Sequence, residues 1–125
     1  FVHLHRRDRA GWKAGAGSAL LAAPTTAAFF RECVAGARAA DAALFCELWA
    51  GDTPVASTSN FVCGGVLSAF KVGWEPRAAR ASPGLLVDHA LAAIADRELP
   101  DVALIDSCAD PGSYLERVWP ARIAV

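Results

Sequence analysis

Residues 43–73 read ALFCELWAGDTPVASTSNFVCGGVLSAFKVG, and the turn signals inside this stretch decide the fold. Ala43–Ala50 is a short apolar run of strand type. Gly51-Asp52-Thr53-Pro54 is a tight turn. Val55–Cys63 is β-branched and alternating. Gly64-Gly65 is a two-residue hairpin signal, because both central positions of such a turn favour positive φ. Val66–Gly73 is then a third strand. Connections this short cannot make the crossover that parallel neighbours need, so the three strands form an antiparallel meander. Apolar or small residues occupy both faces of these strands, so a covering layer is expected on each side.

Outward from the meander, Pro24-Thr25-Thr26 starts a helix, with a threonine hydroxyl to cap free amides. Phe29, Phe30, Cys33, Val34 and Ala37 follow at helical spacing. This helix is expected to run to about Arg38 and to bury both phenylalanines. On the other side, Trp74 to Ala81 reads as a loop containing Glu75-Pro76, Arg77 and Arg80. Ser82-Pro83-Gly84 opens a second helix, with Ser82 as N-cap and Pro83 at the first helical position. Leu86, Ala90, Ala93 and Ile94 are its expected buried stripe, and Glu98-Leu99-Pro100 ends it. Asp101–Asp106 is a short buried strand. Strand, helix and strand in this order make a βαβ unit, so the last strand lies parallel to the third. Ala109–Val118 is a short helix or turn, and Ala121–Val125 a final strand. At the other end, Phe1, His3 and His5 alternate with Val2 and Leu4, a weak strand signal, while residues 1–9 with three arginines and two histidines read as a frayed or solvated terminus rather than a phosphate-binding arm. Gly11 to Gly17 is a loop without P-loop spacing. The expected class is α+β: an antiparallel three-strand meander, then βαβ, in one mixed sheet with helices on both faces.

The composition fits this. A chain of 125 residues with 54% hydrophobic and 20% charged residues is globular, a single domain's worth. A formal net charge of −1 provides no broad electrostatic footprint for nucleic acid. No apolar run approaches the ~18 residues of a membrane span, and no secretory signal pattern is present, so a cytoplasmic location is expected. There is no methionine and the first residue is Phe1, which suggests a piece of a longer chain. None of the four cysteines forms a C-x-x-C pair, so they read as small core hydrophobes rather than zinc or redox ligands. No metal constellation is apparent. An alanine-rich core of this size buries little area, so cover from a second copy or a partner domain is expected.

The start of the second helix lies at the end of the third strand. Free backbone N–H groups and the positive helix end make an anion site there. Arg77 and Arg80 flank it, and Ser82, Gly84 and Leu85 could point amides at a pyrophosphate. The alternative is an ordinary helix start with solvated arginines.

Residues 42–106 resemble the core of the GNAT acyltransferase superfamily. The likeness is to the branch found near cellulose and exopolysaccharide synthesis, related to the Fem-type aminoacyl transferases. Residues 44–58 (LFCELWAGDTPVAST) are similar to that branch's "elrvdGrpvAs" hairpin. Residues 70–76 (FKVGWEP) and 81–86 (ASPGLL) are similar to its "yktgydpe…ySPGlll". Ala103-Leu104-Ile105-Asp106 is similar to its "fDlg" strand, and Trp12-Lys13 to its "rwk" stretch. The resemblance spans roughly residues 10 to 119. It implies that the third and fourth strands splay and that acetyl-CoA or another acyl-CoA lies in the gap. Carried onto this chain, it places the donor along Phe70, Lys71, Val72 and Gly73, and its phosphates at Arg77, Arg80, Ser82 and Gly84, beside Leu85. Where the family's phosphate loop usually reads [RQ]-x-x-G-x-[GA], this chain has Arg77-Ala78-Ala79-Arg80-Ala81-Ser82, with Arg80 at the first glycine.

Acyl transfer to an amine needs a base for its proton and an acid for the departing thiolate. GNAT enzymes often set a tyrosine past the fourth strand as that acid, and Tyr114 lies in the matching region. The alternative is a tyrosine packing a helix. Asp106 ends the strand as a base, or caps the next turn. Glu47, in mid-strand, faces either an acceptor cleft or solvent. The expected function is transfer of an acyl group from acyl-CoA to an amine or hydroxyl acceptor, small or glycan-related. The rivals are a non-catalytic GNAT-like interaction domain and a Fem-like aminoacyl transferase using charged tRNA, against which the near-neutral charge argues.

Overall fold

A computed structural model of the chain describes residues 1–5 and 24–119. The expected loop at Gly11 to Gly17, the Trp12-Lys13 pair and the strand at Ala121–Val125 lie outside the described residues. The elements are β1 (Val2–His5), α1 (Pro24–Ala39), β2 (Ala43–Ala50), β3 (Thr53–Cys63) and β4 (Val66–Trp74). A 3-10 turn follows (Pro76–Ala81), then α2 (Pro83–Glu98), β5 (Leu104–Asp106) and α3 (Leu115–Val118). One sheet runs β1-β2-β3-β4-β5. Its first four strands pair antiparallel and β5 joins β4 in parallel, as the βαβ order predicts.

The meander forms where its turn residues demand it. Gly64 and Gly65 take φ of 56° and 79° and join Cys63 to its partner Val66, the backbone of a two-residue hairpin. Alternation then sorts the strand side chains by face. Leu44 and Cys46 of β2 pack with Val87, Leu91, Ala95 and Leu99 on the α2 side. Ala43 and Phe45, one residue out of phase, pack with Phe30 and Val34 of α1 on the other. Both faces are covered, so the architecture is α+β with a mixed sheet between helical layers.

Several expectations need correction. Phe30 is buried at 1% exposure, but its neighbour Phe29 is 61% exposed. Successive helical residues point about 100° apart, so only one of the two can face the sheet. The buried stripe of α2 is Pro83, Gly84, Val87, Asp88, Leu91 and Ala95, one position out of phase with the expected Leu86, Ala90, Ala93 and Ile94. Apolar residues surround this helix, and Asp88 sits on its inner face, so polarity did not mark the true side. Helix α2 begins at Pro83 as expected, but Ser82 supplies no side-chain cap. It adopts a left-handed conformation (φ 50°, ψ 53°), and its N–H donates to the Ala79 carbonyl to close the 3-10 turn. The last strand has only three residues and is half-buried. Cys46 is buried as expected of a core thiol, whereas Cys63 and Cys108 are exposed, and all four cysteines are free.

Candidate functional site

Strand β5 is short, and a gap follows from that. Its pairing with β4 covers only Val66–Ser68 against Leu104–Asp106. Beyond it β4 runs on to Trp74, while β5 turns away. The Asp106 carboxylate accepts the Cys108 N–H at 2.8 Å, and Cys108 takes a positive φ of 50°. In the same place β4 bulges. Ser59 pairs with Lys71 and Asn60 with Ala69, so Phe70 is an extra residue without a β3 partner. Its ring drops onto the α1 side, stacked on Phe30 with centroids 5.9 Å apart. A small cavity of 70 Å³ fills the gap, lined by Asn60, Ala69, Val72, Asp88 and Tyr114 among others.

A wider groove of 440 Å³ continues along β4 to the start of α2. Val72, Trp74, Gly84 and Leu85 line it, and Val72 and Tyr114 border both spaces. The helix comes close to the strand because Gly84 has no side chain. A Cβ there would lie 3.1 Å from the Trp74 ring. At the groove end the first turn of α2 is uncapped by Ser82. Pro83 has no N–H, and the Gly84 and Leu85 amides have no partner inside the helix. The Leu86 N–H makes the first bond of the helix, to the Ser82 carbonyl at 3.1 Å. Arg77 and Arg80 stand on the preceding 3-10 turn, both exposed. With three residues per turn, positions i and i+3 eclipse, so Arg77 and Arg80 lie on one side of the turn, and neither is among the residues that line the groove.

The polar centre of the gap is a pair that the sequence reading did not single out. The Tyr114 hydroxyl donates to Asp88 Oδ2 at 2.6 Å. Asp88 is 4% exposed, on the inner face of α2. Burial pushes its carboxyl above the usual carboxylate range, and the bond from Tyr114 opposes that rise. Burial, then the Asp88 carboxylate, pushes the Tyr114 phenol up. Burial also pushes the Cys46 thiol of β2 up to about 12, with Asp88 contributing. Next to this pair Asn60 Nδ2 donates to Thr58 Oγ1 at 2.9 Å and to the Leu44 carbonyl at 3.2 Å. A carboxyl raised by folding favours the fold fully below its unfolded pKa. That contribution disappears as pH rises through the higher folded value. Asp88→Asn keeps an acceptor for Tyr114 without the buried charge. It is therefore expected to raise Tm at pH 8 and to leave it nearly unchanged at pH 3, in thermal melts across that range.

The structure brings Tyr114 together with Phe70, Lys71 and Val72 on one side and with Ser82, Gly84 and Leu85 on the other. Lys71 is exposed, its ammonium 5.9 Å from the Phe70 ring centroid. Gly73 is buried and paired with Ser57. Asp106 caps its own turn, and Glu47 lies away from the gap. Glu47 is 1% exposed on β2, so it faces no solvent, and its Oε2 accepts from Trp49 Nε1 at 3.1 Å. Its strand is separated from β4 by β3. Asp88, Asn60 and Trp74 join the site only through the fold. The one signal for Asp88 was a lone carboxylate between the apolar residues Leu85-Leu86-Val87 and Leu91. Among the described residues no group of His, Cys, Asp and Glu could hold a metal ion, and no helix is long and apolar enough to cross a membrane.

No curated protein matches the chain. The mixed five-strand sheet with its helices is consistent with a GNAT-like fold. The family model described as an acetyltransferase (GNAT) domain matches residues 1–109, most of the chain, so this protein belongs to the GNAT acetyltransferase family, with the general acyltransferase function that membership carries.

Proposed function

We propose that the chain transfers an acyl group from an acyl-CoA thioester to an amine or hydroxyl acceptor. The observation that carries this reading is the pair of spaces along β4, the cavity in the gap beside β5 and the groove at the uncapped N-terminus of α2, which share Val72 and Tyr114. A pantetheine arm is narrow, mostly apolar and able to take backbone hydrogen bonds, so it suits a strand edge that has lost its neighbour. In this reading Phe70, Lys71, Val72 and Gly73 form that edge. Gly84 and Leu85 offer amides to the pyrophosphate, where the helix end favours negative charge. Ser82 lines the groove at the same turn, and Arg77 and Arg80 of the preceding 3-10 turn, outside the groove lining, bring positive charge toward the phosphates.

Tyr114 stands where the sulfur would leave, and we assign it as the acid. Asp106 and Glu47 have weaker support as bases, because neither lines the gap. The cellulose and exopolysaccharide branch, and with it a glycan-related acceptor, rests on the sequence resemblance alone. An acyl-CoA donor goes with a cytoplasmic site of action. The near-neutral charge disfavours tRNA as donor. Exposed Trp74, Leu85 and Leu86 around the groove favour cover by a second copy or a partner domain.

Calorimetry with CoA and acetyl-CoA tests the donor. Binding is expected, and the double variant Arg77→Glu/Arg80→Glu is expected to weaken it about tenfold, or about 1.4 kcal/mol. Absence of heat at millimolar CoA would overturn the reading.

A further inference from the structure

Asp88 is an anomaly of the core. A carboxylate under a sheet, one helical turn from Gly84 and next to Val87, is costly to bury unless it is partnered. Its side chain meets the Tyr114 hydroxyl at 2.6 Å. Its backbone carbonyl accepts a second bond, from Trp119 Nε1 at 3.0 Å. One residue of α2 thus holds the segment that carries Tyr114 at two points, beside the β4–β5 gap. Three titratable groups surround the carboxylate. Cys46 of β2 feels its charge, Tyr114 binds it from the segment before α3, and Lys71 lines the same cavity from β4. Thr58 and Asn60 face the cavity from β3 and are neutral.

We infer that Asp88 is the positioning residue of the transfer: it decides whether the Tyr114 proton points at Asp88 or into the β4–β5 gap. This rests on the acyl-CoA reading above. With Asp88 ionised, the hydroxyl proton is committed to the carboxylate, and the phenol has none to offer a leaving thiolate. With Asp88 protonated, the carboxylic acid donates to the phenol oxygen, and the hydroxyl hydrogen turns toward the gap. When the thioester C–S bond breaks, its electron pair leaves on sulfur and the acyl carbon keeps its new bond to the acceptor nitrogen. Sulfur takes the Tyr114 proton, and the phenol oxygen takes the proton of Asp88. Asp88 is left as carboxylate and regains a proton from solvent, which also receives the proton shed by the amine. Burial favours the protonated carboxyl, and so favours the competent arrangement.

The test uses the full chain with acetyl-CoA and hydroxylamine as a probe amine that stays neutral above pH 7, followed by loss of thioester absorbance after the enzyme-free reaction of hydroxylamine with the thioester is subtracted at each pH. Wild-type turnover is expected to fall on the alkaline side as Asp88 ionises. Asp88→Asn, whose side chain can donate to the phenol without titrating, is expected to lose that limb. Tyr114→Phe is expected to lose the limb too, and to lower turnover about 100-fold. A second readout needs no substrate. Tyr114 is the only tyrosine of the chain, so tyrosinate absorbance reports it alone. In Asp88→Asn the tyrosinate is expected at lower pH than in the wild type. An unchanged alkaline limb in Asp88→Asn and in Tyr114→Phe, or an unmoved tyrosinate transition in Asp88→Asn, overturns the inference while acetyl-CoA turnover persists. If the wild type neither binds CoA nor consumes acetyl-CoA, the acyl-CoA reading falls and takes this inference with it.

Discussion

Phe30→Ala is expected to destabilise the protein by about 3–5 kcal/mol, the usual cost of emptying a buried aromatic site. Phe30 is the largest side chain that α1 sends into the sheet, and it packs with Val34, Ala43 and Phe45. Its ring also stacks on Phe70, the bulged residue of β4, at an interplanar angle of 8°. Removing it leaves a cavity between α1 and the sheet, among Val34, Ala43, Phe45 and Phe70. The cost is a large share of the roughly 5–15 kcal/mol of a typical domain. Phe29→Ala is the matched control. That ring is largely in solvent, so a change within about 0.5 kcal/mol is expected. Urea titrations of the two variants read both numbers. A loss for Phe29→Ala as large as that for Phe30→Ala would mean that α1 is rotated from the position described.

Gly84→Val is expected to weaken CoA binding at least tenfold and to cost about 1–3 kcal/mol of stability, the usual range for overpacking. The first added carbon already meets Trp74 Cε3 at 3.1 Å and Val72 Cγ2 at 3.6 Å. The two further methyls of valine would drive α2 away from β4. That motion moves the Gly84 and Leu85 amides and narrows the groove in one step, so binding and stability fall together. The φ of Gly84 is not positive, so the constraint is space rather than backbone conformation. Gly36→Ala separates the two causes. It lies in α1 with nothing within 4 Å of its added carbon. It is expected to stabilise the protein by about 0.5–1 kcal/mol, as alanine does over glycine inside a helix. Calorimetry with CoA and thermal melts of the two variants give the comparison.

The parts of the fold that were legible in the sequence are those set by neighbours along the chain. Gly64-Gly65 marks its hairpin because few other pairs tolerate two successive positive φ values. Pro83 marks the start of α2 because it lacks the N–H that a first helical residue does not use. The short links inside residues 43–73 permit only antiparallel pairing, and the long link through α2 permits a parallel return. The rotation of each helix was less legible. Phe29 and Phe30 differ only in which side meets the sheet. The α2 stripe lies one residue away from the one its apolar pattern favours, because Leu85, Leu86 and Ile94 are as apolar as Val87 and Leu91. The candidate site divides in the same way. Phe70–Gly73, Ser82, Gly84 and Leu85 were found through contiguous motif-like stretches. Asp88 was not, because nothing local marks a carboxylate in an apolar helix as a partner for a tyrosine 26 residues further on.

From its sequence alone, this protein's meander, parallel return and the start of α2 at Pro83 are determined, since each follows from the conformations that a few adjacent residues permit; that Ser82 leaves this start uncapped was decided by the fold. The tertiary structure alone decided that β5 would pair with only the first part of β4, that Phe70 would bulge out of register, and that Asp88 would turn inward to Tyr114. These depend on how far two distant segments can approach. Burial of Leu67, Val87 and Leu91 in one core drives that approach, and the missing side chain of Gly84 permits it where α2 meets Trp74.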